Sequence, residues 1–449
     1  MNKNSFDSAP LFLYFIIVAL TGSLLLSLPA AYKAGVSCSY IDALFTSISA
    51  VCVTGLSTVS MDIFSRTGFV ILLVLIELGG LGFLSFIALS IALPSKKVSM
   101  TNRKFIKTFF IDDVEYSSIR ILRRIILLTL SIQLAGFLLL LPGLYYCGNE
   151  NFIFDSLFLS VSAFCNAGFS TKADSLASYN SSCYVLSVVM LLIILGGLGF
   201  VVMDDIKLKI KSLFTGKKHY FSLHSKLVLI LIPAFIFTGA AVSFFLCRNH
   251  AFSNLSTGQK LFQALFESVT LRTAGFETIS QGNFTHAAGL FQIFLMFTGG
   301  APGSIAGGVK ITTIFITLMY AFNEDEGNNV ATLYNRTIPS STINKAITIV
   351  SRSFIFLSLS VFFMAMAEHE SLSSGAFRTI DVIYESTSAF ATVGLTRGIT
   401  PLLTTAGKII IMATMFIGRT GIFAMALKLG NPKENNSIIT YPQETIMIG

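Results

Sequence analysis

The sequence predicts an all-α polytopic membrane protein: four membrane–pore-helix–membrane repeats in pseudo-fourfold arrangement around one pore. Three observations predict it. The chain of 449 residues is 53% hydrophobic and 12% charged, with a mean hydropathy of +0.75, outside the range of soluble globular domains. Apolar runs of about 20 residues, long enough to cross hydrocarbon, recur along its whole length. Four short stretches nearly repeat one another: Val51-Cys-Val-Thr-Gly-Leu-Ser-Thr58, Phe164-Cys-Asn-Ala-Gly-Phe-Ser-Thr171, Arg272-Thr-Ala-Gly-Phe-Glu-Thr278 and Ala391-Thr-Val-Gly-Leu-Thr396.

Eight spans follow from the apolar runs: 11–30, 69–93, 121–145, 183–203, 226–247, 287–320 (interrupted), 343–366 and 406–427. Between the members of each pair lies a shorter apolar segment, at 42–53, 155–165, 263–271 and 381–390. Segments this short suit re-entrant helices, tolerated at membrane depth only where protein buries them or water lines them. The repeats are 1–103, 104–215, 216–330 and 331–430, with a tail at 431–449. Asp42, Asp155 and Asp381 each stand 13 residues before a loop glycine, where a carboxylate can cap a helix start. Gln263 takes that place in the third repeat, which is one residue shorter. Ser47, Ser160, Ser268 and Ser386 align as well.

The loop glycines are Gly55, Gly168, Gly275 and Gly394, spaced by 113, 107 and 119 residues. A cation filter built of backbone carbonyls needs a ring of such loops. Glycine accepts the unusual dihedrals and leaves room for an ion.

Orientation follows from lysine and arginine. Loop 94–124 carries eight, loop 204–226 six, and with 321–345 and the tail the total on that side is 18. The other side has nine. The basic side is therefore cytoplasmic, with both termini, and the glycine loops open outward. This bias accounts for the net charge of +8 without nucleic-acid binding. Leu28-Pro-Ala-Ala-Tyr32 looks like a signal-peptidase site, but cleavage there would break the fourfold pattern.

A second glycine cluster recurs in the helix after each loop: Leu78-Gly-Gly-Leu-Gly-Phe83, Leu195-Gly-Gly-Leu-Gly-Phe200, Thr298-Gly-Gly-Ala-Pro-Gly-Ser304 and Ile417-Gly-Arg-Thr-Gly-Ile422. In the first two repeats close helix packing explains it. The third departs: Gly299, Gly300, Ala301, Pro302, Gly303, Ser304, Gly307, Gly308 and Lys310 fall in mid-span and cannot continue a helix. Irregular backbone at this depth should line an aqueous path, so 299–310 is a candidate gate. Arg419 replaces the glycine of Gly80, Gly197 and Gly300. A charge in mid-membrane faces protein or water; here it can oppose cations or pair with carbonyls of 299–310. Lys310 can instead snorkel to the cytoplasmic interface.

Glu267 and Glu385 occupy equivalent places in two re-entrant helices. They either concentrate cations or are neutral or paired acids that hold the loops; the sequence leaves both open. Asp112, Asp113 and Glu115 are a solvated surface. The six cysteines lack metal or redox spacing. Cys52 and Cys165 are small packed residues, and Cys147 with Cys183 could form a disulfide.

Val53-Thr-Gly-Leu56, Asn166-Ala-Gly-Phe-Ser170, Arg272-Thr-Ala-Gly-Phe276 and Thr392-Val-Gly-Leu-Thr396 together resemble the loops of the Trk/Ktr/HKT potassium transporter superfamily. The resemblance covers nearly the whole chain and is strongest to the membrane subunit of a bacterial Ktr system. It implies K⁺ uptake across the plasma membrane through a filter of Val53, Thr54, Gly55, Asn166, Ala167, Gly168, Thr273, Ala274, Gly275, Thr392, Val393 and Gly394. K⁺ would sit at the four glycines. Gly55, where some relatives carry serine and favour Na⁺, points to K⁺. The resemblance also implies that 299–310 is the gate, with Arg419 as its neighbour, and that no catalytic residue and no bound cofactor are needed. Na⁺ enters as a coupling or activating ion, and Na⁺ or ammonium permeation is the alternative function. The implied partners are a second copy in a homodimer, membrane lipid, and a cytoplasmic ring of nucleotide-binding regulatory subunits of the RCK/KTN type. The chain has no Walker A motif and no GxGxxG after a strand.

Overall fold

A computed structural model describes residues 9–92, 118–216, 219–322, 331–333 and 336–421. The basic loop before residue 118, with Asp112, Asp113 and Glu115, and the tail with Lys428 and Lys433 lie outside the described residues.

The first unit runs α1 (Ala9–Leu26), α2 (Tyr40–Val51) and α3 (Arg66–Ala92). The second runs α4 (Ser118–Tyr146), α5 (Phe152–Cys165), α6 (Cys183–Leu198) and α7 (Phe200–Thr215). The third runs α8 (Leu223–Cys247), α9 (Thr257–Thr270), α10 (His286–Phe297) and α11 (Ile311–Phe322). The last runs α12 (Ser340–Ala367), the short α13 (His369–Ser373), α14 (Thr379–Phe390) and α15 (Thr405–Phe416), which ends in a π-turn at Ile417–Gly421. Among the described residues, strands are confined to one antiparallel pair, Ala331–Leu333 with Arg336–Ile338, a small departure from the expected all-α chain.

Helices α4, α8 and α12 are each long and apolar enough to cross a bilayer alone, over Arg123–Tyr146, Leu223–Cys247 and Ser340–Ala367. Leu134 and Leu138 of α4 and Phe354, Phe362 and Phe363 of α12 are each at least half exposed, an outward face that suits hydrocarbon. The expected span 183–203 is not straight: α6 stops at Leu198, and α7 leaves it at 105°. The expected span 287–320 is broken between α10 and α11, as its glycines and proline require.

The short helices α2, α5, α9 and α14 have 12 to 14 residues, about 20 Å at 1.5 Å per residue, too short to span. Their starts differ in detail from expectation. Asp42 and Asp155 sit in the first helical turn rather than at the cap, where a negative charge still meets the positive end of the helix dipole, whereas Asp381 Oδ2 accepts from Arg378 N at the start of α14 (3.0 Å), as expected. Ser39 caps α2, and Ser256 with Gln259 forms a capping box on α9. Gln263 lies a turn further in.

Each short helix packs on the first helix of its own unit: α2 on α1, α5 on α4, α9 on α8 and α14 on α12. The helix after each loop then touches the next unit's short helix: α3 meets α5, α6 meets α9, α10 meets α14, and α15 meets α2. The last contact closes the circuit. Three of the four aligned serines anchor these pairs. Ser47 Oγ donates to Ala19 O (2.7 Å), Ser160 Oγ to Gln133 O (2.7 Å) and Ser268 Oγ to Ile236 O (2.8 Å). Ser386 is buried with no protein partner for its hydroxyl.

The closing seam carries an ion pair. Lys408 Nζ of α15 donates to Asp42 Oδ1 of α2 at 2.7 Å, with both side chains about five-sixths buried. Lys408→Met strands that carboxylate and should lower stability by about 1–3 kcal/mol. Thermal melting of the detergent-solubilised protein reads the loss, and Asp42→Asn in addition should restore part of it. A double variant no better than Lys408→Met would mean that the pair is not what matters at this seam.

Candidate functional site

After each short helix the chain turns through two left-handed residues with one between. The first is never glycine: Val53 (φ 56°), Asn166 (56°), Thr273 (71°) and Thr392 (50°). The second always is: Gly55 (100°), Gly168 (71°), Gly275 (78°) and Gly394 (96°). Positive φ costs an L-residue about 1–2 kcal/mol, and for β-branched Val53, Thr273 and Thr392 it is a true outlier. Such strain persists only where surroundings over-determine it, commonly at functional sites.

Here the surroundings are visible. The residue between the two turns donates its N–H back to the helix: Thr54 to Ser49 O (2.8 Å), Ala167 to Ser162 O (2.8 Å), Ala274 to Thr270 O (2.9 Å) and Val393 to Ser388 O (2.8 Å). Hydroxyls at the same four positions add a second tie. Ser49 and Ser388 accept from Gly55 N and Gly394 N at 3.1 Å. Ser162 and Thr270 donate to Phe169 O (2.7 Å) and Phe276 O (2.8 Å).

The four loops meet. A Cβ added to Gly55 would lie 2.5 Å from Ala167 O, and one on Gly168 would lie 3.0 Å from Ala274 O. One on Gly275 would overlap Val393 O, and one on Gly394 would overlap Thr54 O. Each glycine therefore abuts the carbonyl preceding the next unit's glycine, and the fourth returns to the first. Eight of the twelve residues expected at the filter, the glycines with Thr54, Ala167, Ala274 and Val393, meet in this ring, and Val53, Asn166, Thr273 and Thr392 open the same four loops. Its polar atoms are uncharged: backbone carbonyls, the Thr54, Thr273 and Thr392 hydroxyls and the Asn166 amide, whose side-chain atoms are buried without protein partners. Among the described residues no cluster of three His, Cys, Asp or Glu side chains could hold a metal. The ring can offer a cation dipoles, not ligating carboxylates.

The acids near the ring brace it. Glu267 accepts from Gln292 Nε2 (3.1 Å) and Gln281 Nε2 (3.3 Å), and Glu385 accepts from Thr396 Oγ1 (2.8 Å) and Thr400 Oγ1. Both are fully buried, which favours the loop-holding reading. Asp42 also accepts from Thr58 Oγ1 (2.7 Å), Gln263 Oε1 from Thr278 Oγ1 (2.6 Å), and Asp381 from Arg397 Nε (2.7 Å). Three of the aligned helix-start residues thus staple the chain leaving their own loop.

The irregular segment between α10 and α11 folds back on itself. Gly299 N donates to Val309 O (2.9 Å), Val309 N to Phe297 O (3.0 Å) and Ile311 N to Gly300 O (3.1 Å). It docks on the second unit through Ala301 N to Gly197 O (2.9 Å) and Ile305 N to Gly196 O (3.3 Å). It reaches the last ring loop where Gly307 lies against Ala391 O and the Thr392 hydroxyl. Arg419 joins it from the π-turn: Nη1 donates to Ile305 O (2.6 Å) and Nη2 to Gly79 O of α3 (3.0 Å). One guanidinium thus bridges the third unit's loop and the first unit's helix. Lys310 is half-buried and does not reach away; its Nζ donates to Ala306 O inside the same segment. The helix glycines pack closely, as expected, with Gly79 against Val51 O, Gly196 against Phe164 O and Gly418 against Phe390 O. The cysteines are free thiols, Cys147 and Cys183 included.

Two features escaped the sequence reading. The α6–α7 break places Gly199 at φ 86° against Pro302 O, and Phe200 N donates to Gly303 O (3.1 Å). Gly199→Ala would put a Cβ 2.6 Å from Pro302 O and add about 1–2 kcal/mol of backbone strain. It should lower the melting temperature by several degrees; an unchanged melt would show that the break is not held by this contact. The other feature is Glu77 on α3, which accepts from Gln133 Nε2 (2.9 Å) and contacts Cys165 Sγ (3.5 Å). A lone acid inside an apolar span was its signal.

Comparison with known proteins identifies the family of this chain. The TrkH family profile, described as "Cation transport protein", matches residues 7–438. The chain is 36% identical to the Potassium/sodium uptake protein NtpJ of Enterococcus hirae, covering 97% of this chain and 95% of that one. It is 32% identical to the Ktr system potassium uptake protein D of Bacillus subtilis, covering 97% and 96%. The crystal structure of the potassium transporter TrkH from Vibrio parahaemolyticus superposes with a TM-score of 0.74 at 18% identity, over 96% of this chain and 86% of that one, a likeness of fold. The chain belongs to the TrkH family of cation transport proteins.

Proposed function

We propose that this protein carries K⁺ into the cell across the plasma membrane, through a pore that its four repeats enclose with pseudo-fourfold symmetry. The closed circuit of glycine–carbonyl contacts from Gly55 through Gly168 and Gly275 to Gly394 carries the reading. Carbonyl dipoles from four loops replace the hydration shell of a desolvated cation. Left-handed residues on either side of each central carbonyl turn the backbone there without any charged side chain. The repeats are 1–103, 104–215, 216–330 and 331–430, and the basic loops put both termini in the cytoplasm. K⁺ is favoured because relatives sharing about a third of the sequence are named for potassium uptake.

Segment 299–310 is the gate and Arg419 its latch. The protein works as a homodimer with a cytoplasmic nucleotide-binding subunit ring, in keeping with relatives named as parts of Ktr systems. The test is growth of a K⁺-uptake-deficient bacterium on low K⁺, with and without a Ktr regulatory subunit, followed by K⁺ and Na⁺ flux in proteoliposomes. Rescue with K⁺-selective flux is expected. The name of the E. hirae relative makes Na⁺ the specific competitor; equal K⁺ and Na⁺ flux, or flux of ammonium alone, would overturn the K⁺ reading. Tight ATP binding by the isolated chain that itself opens the pore would overturn the need for a nucleotide-binding partner.

A further inference from the structure

The 105° turn between α6 and α7 opens a groove of about 670 Å³ between α4, α6 and α7. That volume is in the range of small-molecule sites. Apart from Ser131, its lining is apolar or cationic. Leu128 and Ile132 from α4, with Met203 and Ile206 from α7, are apolar. Arg123, near the start of α4, and Lys207, on the same face of α7 as Met203 and Ile206, are cationic and exposed. Arg124 also lines the groove and is paired with Asp204 at 2.9 Å. The other carboxylate of α7, Asp205, is engaged by Ser222 (2.9 Å) and Ser225. The acids here are thus taken up by the protein, whereas Arg123 and Lys207 line an apolar channel.

We propose that this groove binds one anionic phospholipid of the bilayer, its phosphate on Arg123 and Lys207 and an acyl chain on the apolar floor. The arrangement fits that occupant and few others. The basic end of α4 belongs to the side of the membrane where the basic loops lie, and the helix then runs as a span into hydrocarbon. A lipid spans the same boundary, with charge at one end and hydrocarbon at the other. A free phosphate or nucleotide would leave the floor uncovered, and a transported cation would meet charge of its own sign. Basic residues at such a surface each contribute about fivefold to anionic-lipid preference. The α7 wall of the groove runs from Met203 to Ile210, on the helix whose first residue, Phe200, donates to Gly303 O.

Native mass spectrometry of the purified full chain with equimolar phosphatidylglycerol and phosphatidylcholine tests it. The wild type should retain phosphatidylglycerol preferentially. Arg123→Gln with Lys207→Gln should cut that preference by about twenty-fold. Lys226→Gln with Lys345→Gln removes equal charge on other helices, neither residue lining the groove, and should leave the preference intact. Leu128→Trp keeps the charges, fills the floor and should lower occupancy of both lipids. The proposal is overturned if the Arg123/Lys207 variant keeps the wild-type preference, or if the control variant loses as much, since attraction would then be diffuse. It is also overturned if Leu128→Trp retains lipid as the wild type does, or if the wild type retains neither lipid because another part of the chain or a copurified peptide fills the groove. Monodisperse elution of each variant separates these outcomes from misfolding. The readout is lipid retention, so it is independent of whether the transported ion is K⁺.

Discussion

Gly394→Ala is expected to cut K⁺ uptake at least about tenfold, the effect of about 1.4 kcal/mol on the transport barrier. Two penalties combine. The residue holds φ at 96°, which costs alanine about 1–2 kcal/mol. Its new methyl would also occupy the position of Thr54 O, a carbonyl of the first repeat. Relief requires the last and first loops to separate, which opens the ring at its closing contact. Gly55→Ser pushes a side chain to 2.5 Å from Ala167 O and should weaken the preference for K⁺ over Na⁺. Gly35→Ala is the control. That glycine has φ 84° with nothing within 4 Å of an added Cβ, so it reproduces the backbone strain without touching the ring. Flux in proteoliposomes under defined K⁺ and Na⁺ gradients measures all three. Unchanged selectivity in Gly55→Ser, or equal losses in Gly394→Ala and Gly35→Ala, would refute the filter assignment.

Deleting 300–308 should raise K⁺ flux and reduce its dependence on the regulatory partner. The deletion is sterically reasonable because the segment's ends already meet: Gly299 N donates to Val309 O at 2.9 Å. A local adjustment suffices to rejoin α10 and α11. What disappears is the contact with Gly196, Gly197 and Phe200, and with it the proposed gate. Arg419→Ala acts in the same direction with the segment left in place. It removes two charge-assisted hydrogen bonds, to Ile305 O and Gly79 O. Each such bond contributes about 1.5–3 kcal/mol where water cannot substitute, so the closed-to-open ratio should fall about tenfold or more. On the proposed gate reading it also removes a positive charge that opposes the cation. Lysine at this position can reach only one of the two carbonyls as a point donor, so Arg419→Lys should fall between wild type and alanine. Flux with and without the partner is the measurement. A folded deletion variant with lower flux and intact regulation would sink the gate.

Glycine made the ring legible. Gly55, Gly168, Gly275 and Gly394 combine positive φ with a neighbour's carbonyl where a Cβ would stand. Those constraints exclude other side chains, so the requirement appears in the sequence as a fourfold repeat. The broken third span was readable for a related reason, since five glycines and a proline cannot hold helical backbone. The left-handed turns at Val53, Thr273 and Thr392 were not readable, because β-branched residues disfavour positive φ; only Asn166 is of a type that adopts it readily. They are imposed by the returns to Ser49, Ser162, Thr270 and Ser388. Arg419 was flagged as a mid-membrane charge, but its double grip on Ile305 O and Gly79 O depends on which helices the fold brings together.

One hexapeptide separates the two kinds of information. Leu-Gly-Gly-Leu-Gly-Phe occurs at 78–83 and again at 195–200. In the first repeat it continues inside α3, which runs unbroken from Arg66 to Ala92. In the second it ends α6 at Leu198 and turns by 105° at Gly199. The composition, the four repeats and the need for glycine at each close approach are properties of the chain read locally. The choice between helix and break is not local, because glycine permits both at small cost. It is made by residues about a hundred positions away: Gly303 O accepts from Phe200 N, and Pro302 O lies against Gly199.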